Sequence, residues 1–426
     1  MLTKIKIWHF ILLITVLIIV LRFSHLIDLL NLLIVIVQSL FAKNENVFAQ
    51  LNFSVIDNIV SLVLIIIIPI LILVSGKIKK LLSRQIKFSS SILVLLVIFF
   101  LFAPIVTNQH PDFQKNISVT KLLPPFSSVD YFELNNQSIA QNNNGVHLKN
   151  LIDRVIPNSY NENIIFIDSV TVNEKLMYYQ SGVQYEIEKI KVKSLAGYPV
   201  IKSKLFLLGS DEFGRDVFTR IVYGSRISLL VGFGSVFVSF IIGLGFAFLA
   251  VERGGFVNII LSRVTDLFLS FPAIFLVVLI IALFGSNIIS VIVVLGFSGW
   301  MSLFKVAKSE MLSVKNKEYY LAAKLLGLKN IKLLVREILP AILIPISVNL
   351  IFQFSNVILA ESALSYLGLG TGIEYPSWGA MIEAGQEYIS QSWWLIFIPG
   401  LVLVISLLSI NEVGRNINKQ LNSAIK

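Results

Sequence analysis

The sequence predicts an all-α polytopic membrane protein with a small β-containing insert on its outer side. Three observations predict it. The 426 residues are 56% hydrophobic and only 14% charged, more apolar side chain than a water-soluble core can bury, so the surplus must face lipid. The apolar residues gather in runs long enough to cross a bilayer, and the basic residues concentrate in the short loops between them. Between 108 and 205 the long runs stop, and polar residues alternate with apolar ones as in half-buried strands.

In chain order, residues 7–23 are apolar and follow Lys4 and Lys6. No small-residue cleavage site follows Arg22–His25, so the segment reads as an anchor rather than a signal peptide. Residues 26–42 are apolar apart from Asp28, and 58–75 and 90–107 are clear spans. Between those spans, Lys77, Lys79, Lys80, Arg84 and Lys87 occur without an acid, which places 76–89 in the cytoplasm. The loop 43–57 is then outside. If Lys4 and Lys6 hold the N-terminus inside, one crossing fits within 7–42, and the other apolar segment lies at, or re-enters from, the outer surface. In the outer region 108–205, alternation predicts strands over Ile164–Val172 and Val183–Val192, with a turn at Asn142–Gly145.

Apolar runs return at 227–250, 261–284, 287–304, 341–360 and 393–410, which with 90–107 make six core spans. The loop 305–339 holds Lys305, Lys308, Lys315, Lys317, Lys324, Lys329, Lys332 and Arg336 against Glu310, Glu318 and Glu337, so it is cytoplasmic. Counting crossings from 76–89 gives the same side and leaves the C-terminus cytoplasmic. The domains expected are 1–87 (extra membrane segments), 88–107 (first core span), 108–206 (loop with insert) and 207–426 (the remaining core).

Composition also excludes functions. The net charge of +10 is spread over loops beside apolar runs, unlike a nucleic-acid groove. There is no cysteine, and His9, His25, His110 and His147 lack metal-ligand spacing, so neither a metal site nor a thiol nucleophile is expected. No Gly-x-x-x-x-Gly-Lys-Ser/Thr loop occurs, so any ATP is bound by another chain and no cofactor is expected on this one. Neither His-Glu-x-x-His nor Gly-x-Ser-x-Gly falls within the spans, and no catalytic residue is assigned.

Glu318–Pro340 is cationic and amphipathic, set between two apolar runs. Tyr319, Ala322, Ala323 and Leu326 follow i, i+3, i+4, i+7 spacing and share one helix face, where two alanines permit close approach by a partner. Gly327 ends this helix, Lys329 to Glu337 form a second, and Pro340 starts the next. The bland alternative is an interfacial helix touching only lipid. Asn349, Gln353 and Asn356 make one polar stripe, suited either to a translocation path or to bonding between helices. Glu361, near the outer end of that span, would meet a substrate amine or a neighbouring arginine. Asp266 lies in the first two turns of its span, positioned to pair with Arg263. Ser210 and Asp211 sit where an N-cap would start a surface helix whose apolar face is Val217, Phe218, Ile221 and Val222. Arg215, Asp216, Arg220 and Arg226 form its charged rim, either a docking surface or an internal ion network.

Several of these segments, in order over about half the chain, resemble the C-type (second) permease subunit of dipeptide/oligopeptide/nickel ABC importers. The cytoplasmic coupling pattern of that family is matched by Ala322, Ala323, Gly327, Ile338, Leu339 and Pro340, while Leu321 stands where the pattern has glutamate and Glu318 lies one turn earlier. Leu208–Arg220 and Tyr223–Leu229 resemble the signature entering the second core span, and Asp266–Pro272 that of the third. Glu361–Gly370 and Pro376–Gly379 resemble the fifth span and its outer loop, and Trp393-Trp394 with Pro399-Gly400 the sixth. On this resemblance Asp211, Gly214, Arg215, Asp216, Arg226, Asp266, Pro272, Gly368 and Gly370 are structural positions. Lys121–Pro125 resembles a segment that normally sits just before Leu208, so 127–206 is an insertion, and the spans before 88 are a second departure.

The resemblance implies a six-span type I ABC-importer permease core in a bacterial inner membrane, working by alternating access. It implies a second permease chain, two ABC ATPase subunits that grip the coupling segment, an extracytoplasmic binding protein, and peptides as cargo, although related permeases move nickel. The rival function is a secondary transporter or channel. That would favour internal repeats and an ionisable group at mid-membrane, and the sequence has no convincing repeat.

Overall fold

The computed structural model describes residues 6–41, 51–107, 109–135, 148, 151–153, 155–172, 175–195, 198–328, 330–371 and 376–424. Lys4, His147, Lys329 and the expected turn at Asn142–Gly145 lie outside them. The chain is mostly helical, with small antiparallel sheets, and forms two compact units. One comprises 1–87, 94–225 and 384–398; the other comprises 88–93, 226–383 and 399–426.

The first unit opens with α1 (Ile7–Leu21) and α2 (Phe23–Phe41), bent by 82° at Arg22. Helix α3 (Phe53–Val74) is capped by Asn52, whose side chain accepts from Val55 N at 2.9 Å, and Ser75 then caps the short α4 (Gly76–Leu81). Ile7 N donates to Arg84 O at 3.1 Å and Lys79 lies over the Trp8 ring at 4.6 Å. The chain entering α1 and the basic loop leaving α3 are therefore side by side, so α1, α2 and α3 make one there-and-back excursion.

Helix α5 (Phe88–Val106) is kinked at Phe102, two residues before Pro104, which removes a ladder donor and crowds the preceding turn. Ser61 Oγ donates to Leu101 O at 2.8 Å beside the kink, and the Arg22 guanidinium donates to Val106 O at 2.8 Å at the helix end. Leu29, Leu32, Leu62, Ile65 and Ile105 pack these helices together.

After α6 (Ile117–Thr120) come the strands of the insert: β1 (Ser127–Glu133), β2 (Ile164–Ile167), β3 (Ser169–Val172), β4 (Leu176–Gln180), β5 (Val183–Ile187), β6 (Ser194–Leu195), β7 (Tyr198–Pro199) and β8 (Ile201–Phe206). They form antiparallel sheets in the orders β2-β1-β8, β3-β4-β5 and β6-β7. Strand β1 is covered on both faces: Val129 meets Phe166 and Phe206 on one, Phe132 meets Ile167 and Leu176 on the other.

The expected strand Ile164–Val172 is two strands in two sheets. The chain turns at Asp168, whose N–H donates to Tyr179 O at 2.9 Å. Likewise Val183–Val192 stops at Ile187 and continues as a 3-10 turn over Lys189–Lys191.

β1 pairs with β8 from Ser127↔Phe206 inward, so the insert begins and ends at one point. Leu123 N donates to Ser210 Oγ at 2.8 Å and Ser210 N to Leu123 O at 3.0 Å. Residues 121–125 and 208–211 are thus neighbours although 82 residues of chain separate Pro125 and Leu208. Closing the loop with its own sheet is how a long insertion is accommodated without parting the segments that flank it.

Glu133 ties the strands of this insert, with its carboxylate 2.6 Å from both Lys193 and Lys202. Burial alone would raise its pKa, but the hydrogen bonds from the two lysines hold it below the ordinary carboxylate value. A depressed folded pKa contributes stability above the unfolded value near 4.3, lost as pH falls through the folded one. Glu133→Gln is expected to cost the insert about 1 kcal/mol at pH 7, read as faster amide exchange in β1 and β8, with the difference from wild type vanishing in acid.

The second unit is built on α7 (Val217–Arg253), α8 (Gly255–Ser270), α9 (Ala273–Phe284), α10 (Ile288–Lys315), α11 (Glu318–Leu325), α12 (Asn330–Leu333), α13 (Leu339–Tyr366), α14 (Trp378–Gly385) and α15 (Trp394–Ala424), of which α7, α14 and α15 also reach into the first unit. Among the described residues six helical segments are long and apolar enough to cross a membrane, over 53–74, 88–106, 217–253, 288–315, 334–366 and 394–419. Two more pairs, α1–α2 and α8–α9, reach that length only across sharp bends.

The third core span expected over 261–284 is therefore not one rod. It turns by 91° at Phe271-Pro272, where Phe271 is extended (ψ 137°), because the residue before proline is pushed out of the helical region. Helices α7 and α10 pack closely through glycine: a side chain at Gly296 would strike Val238, and one at Gly243 would strike Leu303 and the Trp300 carbonyl.

Candidate functional site

The segment 318–340 is shaped by its two ends. Lys315 at the end of α10 donates to Glu252 Oε2 at 2.8 Å and to Val251 O at 3.0 Å, which fixes where the chain leaves the bundle. Helix α11 then lies across the bundle on Tyr320 and Ala323, which are buried in a cluster with Met311, Val314, Leu333 and Ile338. Its opposite side is bare: Glu318, Tyr319, Ala322 and Lys324 are exposed, and Leu325 and Leu326 are 89% and 83% exposed. Gly327 closes the helix with φ +79°, a conformation that a β-carbon disfavours.

Two expectations are corrected here. Ala323 does not share the outward face with Tyr319, Ala322 and Leu326; with Tyr320 it forms the i, i+3 pair that anchors the helix to its own chain. Ile338 is also buried in that cluster and presents nothing outward, while Pro340 is exposed. Pro340 sits in the first turn of α13, as expected, although that helix follows on from α12 without a break. Helix α12 runs through a π segment, Leu334–Ile338, directly into α13, the wide turn absorbing the donor and the space that Pro340 takes away. Lys317, Lys324, Lys332 and Arg336 are all exposed around this surface.

Within the spans, polar groups turn toward protein. Gln353 Nε2 donates to Ser239 Oγ of α7 at 2.6 Å, a helix–helix bond. Asn349 is half-buried, and Asn356 alone of the stripe is exposed. Glu361 is 0% exposed and, among the described residues, pairs with no arginine; it accepts from Ser365 Oγ at 2.8 Å and Ser228 Oγ at 3.4 Å, with Ser377 Oγ 3.4 Å beyond Ser365. Sequence position suggests access to a substrate amine or an arginine; in this structure α7 and the 376–379 segment enclose it instead. A side chain at Gly370 would strike Ser365, and one at Gly379 would strike Ser362, so both glycines hold this serine cage shut. Ser362 and Ser365, one and four residues after Glu361, were the available signal for the cage; Ser228 and Ser377 come from distant segments. Gly368 (φ +74°) ends α13.

Asp266 pairs with Lys305 at 2.9 Å rather than with Arg263, and it lies in the last turns of α8 rather than the first turns of a span. Helix rotation aims it at α10, and because both partners are about half exposed the pair contributes little.

The rim at 208–220 is an internal knot. The Asp211 carboxylate accepts from Phe213 N at 3.0 Å, Arg215 N at 2.9 Å and Arg215 Nε at 2.7 Å, folding 211–215 into a tight turn that Gly214 (φ +75°) completes. Arg220 Nη1 reaches Asp112 at 2.9 Å, and Arg215 Nη2 reaches Glu212 at 3.3 Å. Burial and the Asp211 charge push the Glu212 carboxyl above its ordinary pKa. The N-cap is not Ser210 or Asp211, which this turn consumes, but Asp216, which accepts from Thr219 N at 2.8 Å. Arg226 lies further along α7 and is half-buried. Trp394 Nε1 donates to Ser210 O at 3.4 Å, and a side chain at Gly209 would strike Trp394 and the Leu123 carbonyl.

These motifs have counterparts in known proteins. Residues 235–426 match the family described as binding-protein-dependent transport system inner membrane component. The chain is 32% identical over 221 residues to the di/tripeptide transport system permease protein DppC of Pseudomonas aeruginosa, covering 52% of this chain and 73% of that protein. It is 34% identical over 218 residues to the dipeptide transport system permease protein DppC of Alkalihalophilus pseudofirmus, covering 51% of this chain and 72% of the relative. It is 34% identical over 214 residues to the oligopeptide transport system permease protein OppC of Haemophilus influenzae, covering 50% and 69%. With multi-pass apolar helices and matches spanning more than two thirds of each relative, the chain belongs to the dipeptide/oligopeptide permease family of binding-protein-dependent ABC importers, as an inner-membrane permease subunit.

Proposed function

We infer that this chain forms half of a transmembrane path for short peptides and is driven by separate ATPase subunits that grip α11. The observation carrying this reading is the bare apolar surface of Tyr319, Leu325 and Leu326 on a short helix fixed rigidly by Tyr320 and Ala323. An exposed apolar patch held on a stiff support, ringed by Lys324, Lys332 and Arg336, is built for a protein partner rather than for water. Closure of the two ATPases on ATP pushes such a handle, and the continuous run from α12 through the π segment into α13 carries the displacement into the membrane.

In this reading the partners are a second, different permease chain, two ATPases that bind the ATP, and an extracytoplasmic binding protein. The basic loops 76–89 and 305–339 and the C-terminus face the cytoplasm, and the insert faces outward. Peptides are the cargo named for the relatives. Asn356 is the stripe residue left to line the path, whereas Gln353 is held by Ser239. Gln353→Ala is accordingly expected to lower stability by about 0.6–1 kcal/mol with uptake retained, and Asn356→Ala to lower uptake several-fold at unchanged melting temperature.

The test is reconstitution with the candidate ATPase, permease and binding-protein chains. ATP-dependent uptake of a labelled dipeptide supports the reading. Uptake that follows an ion gradient and continues without ATP would overturn it.

A further inference from the structure

A cavity of about 980 Å³ opens beside the β2-β1-β8 sheet within the first unit, lined by that sheet, the 155–163 segment, the α1–α2 bend and the start of α7. That size falls in the range of small-ligand sites. Lys204 of β8 lines it. Its ammonium lies 4.2 Å from the Phe206 ring centre, with Phe113 and Phe166 at 5.6 Å and 5.8 Å, and it donates to Gln109 Oε1. Among the described residues it makes no ion pair within 4.0 Å; Asp216, also on the cavity wall, is the carboxylate whose charge reaches it. Burial lowers the Lys204 pKa to about 8. A desolvated cation whose hydrogen-bond partner among the described residues is a neutral amide is costly to keep, and ring faces and the more distant Asp216 offset only part of that cost. An anionic group entering the cavity would offset that cost.

Arg22 is a second cation on the wall, bonded only to the neutral Val106 carbonyl among the described residues. Much of the remaining lining, Asn158, Asn161, Asn163 and Ser203 among it, offers neutral donors and acceptors of the kind a peptide backbone satisfies. The wall also carries Asp28, Asp153, Glu162 and Asp216, of which the exposed Asp153 and Glu162 are available to an amino group.

We propose that this cavity is a binding site for short peptides, with Lys204 receiving the free C-terminal carboxylate. The choice of ligand rests on the peptide-importer reading above; Lys204 belongs to the insert, and the cavity lies outside residues 235–426 that match the family.

The test uses the full chain in phosphatidylcholine nanodiscs, titrated calorimetrically with trialanine and with trialanine amide. Trialanine is expected to bind at least about tenfold more tightly than its amide. Lys204→Met is expected to lose that preference, and Lys204→Arg to keep it. The acid-against-amide comparison is made on wild type, so it holds even if a variant fails to fold. Absence of trialanine binding, equal binding of acid and amide, or an unchanged preference in a folded Lys204→Met protein would each overturn the site. A preparation that recruits the ATPase subunit yet binds no trialanine defeats this proposal alone. One that binds trialanine by its carboxylate and recruits no ATPase upholds the site and defeats the importer reading instead.

Discussion

Asp211→Ala is expected to destabilise the protein by about 3–5 kcal/mol, the cost of breaking a buried ion pair from one side. Asp211, Arg215 and Arg220 have side chains only 9%, 7% and 7% exposed. Removing the carboxylate leaves two guanidinium groups side by side, with Asp112 and Glu212 to share between them, and strips the turn of the acceptor for Phe213 N and Arg215 N. The turn also sets Gly209 and Ser210 against Leu123, so the base of the insert should loosen with it. Thermal unfolding in detergent, with proteolysis of the 126–207 region as a local probe, measures both effects. A change below 1 kcal/mol would mean the knot contributes no more than an exposed pair. Asp216→Ala, which removes only a helix cap, should cost about 1 kcal/mol and supplies the internal scale.

Ala322→Glu and Ala323→Glu, adjacent in sequence, are expected to fail differently. Ala322 is exposed on the bare side of α11, so a glutamate there should leave folding unchanged while weakening ATPase recruitment by about 30-fold or more, as expected for a charge placed in an interface centre. Ala323 is buried with Tyr320 against Met311 and Leu333, so a carboxylate there costs several kcal/mol and should lower the yield of folded protein. Pull-down of the ATPase subunit together with melting temperature separates the two. If Ala323→Glu melts like wild type and loses the ATPase, the inward face of α11 is wrongly assigned. If Ala322→Glu keeps full recruitment, the bare face is not the ATPase contact.

The difference between these neighbours shows where sequence reasoning runs out. Spacing put Tyr319, Ala322, Ala323 and Leu326 within one arc of a helix, and a helix wheel cannot say which edge of an arc meets the bundle. That edge is set by where Lys315 and Glu252 release the chain and by the holes left among Met311, Val314 and Leu333. Glu361 teaches the same lesson. Its position near a helix end suggests access, but the serines that enclose it arrive from α7 and from the 376–379 segment, far away in sequence.

The strands of the insert were visible as alternation, while the change of sheet at Asp168 was not. A two-residue period continues through a turn whenever hydrogen bonds, rather than side-chain polarity, redirect the chain. The break at Phe271-Pro272 was marked only by its proline, because the apolar run continues through it without change of composition.

By itself the sequence determined the class of solvent, the number and order of the apolar segments, and the family, because lipid demands long apolar runs and charge asymmetry whatever they pack against. It also determined that Lys121–Pro125 and Leu208 onward belong together despite the insertion. Only the tertiary structure decided which face of α11 is bare, which polar groups in the spans are occupied by protein, and that Lys204 stands unpaired by any described carboxylate beside a cavity. Those outcomes depend on contacts between residues far apart along the chain. Their geometry is fixed by close packing and loop closure, which local spacing does not encode.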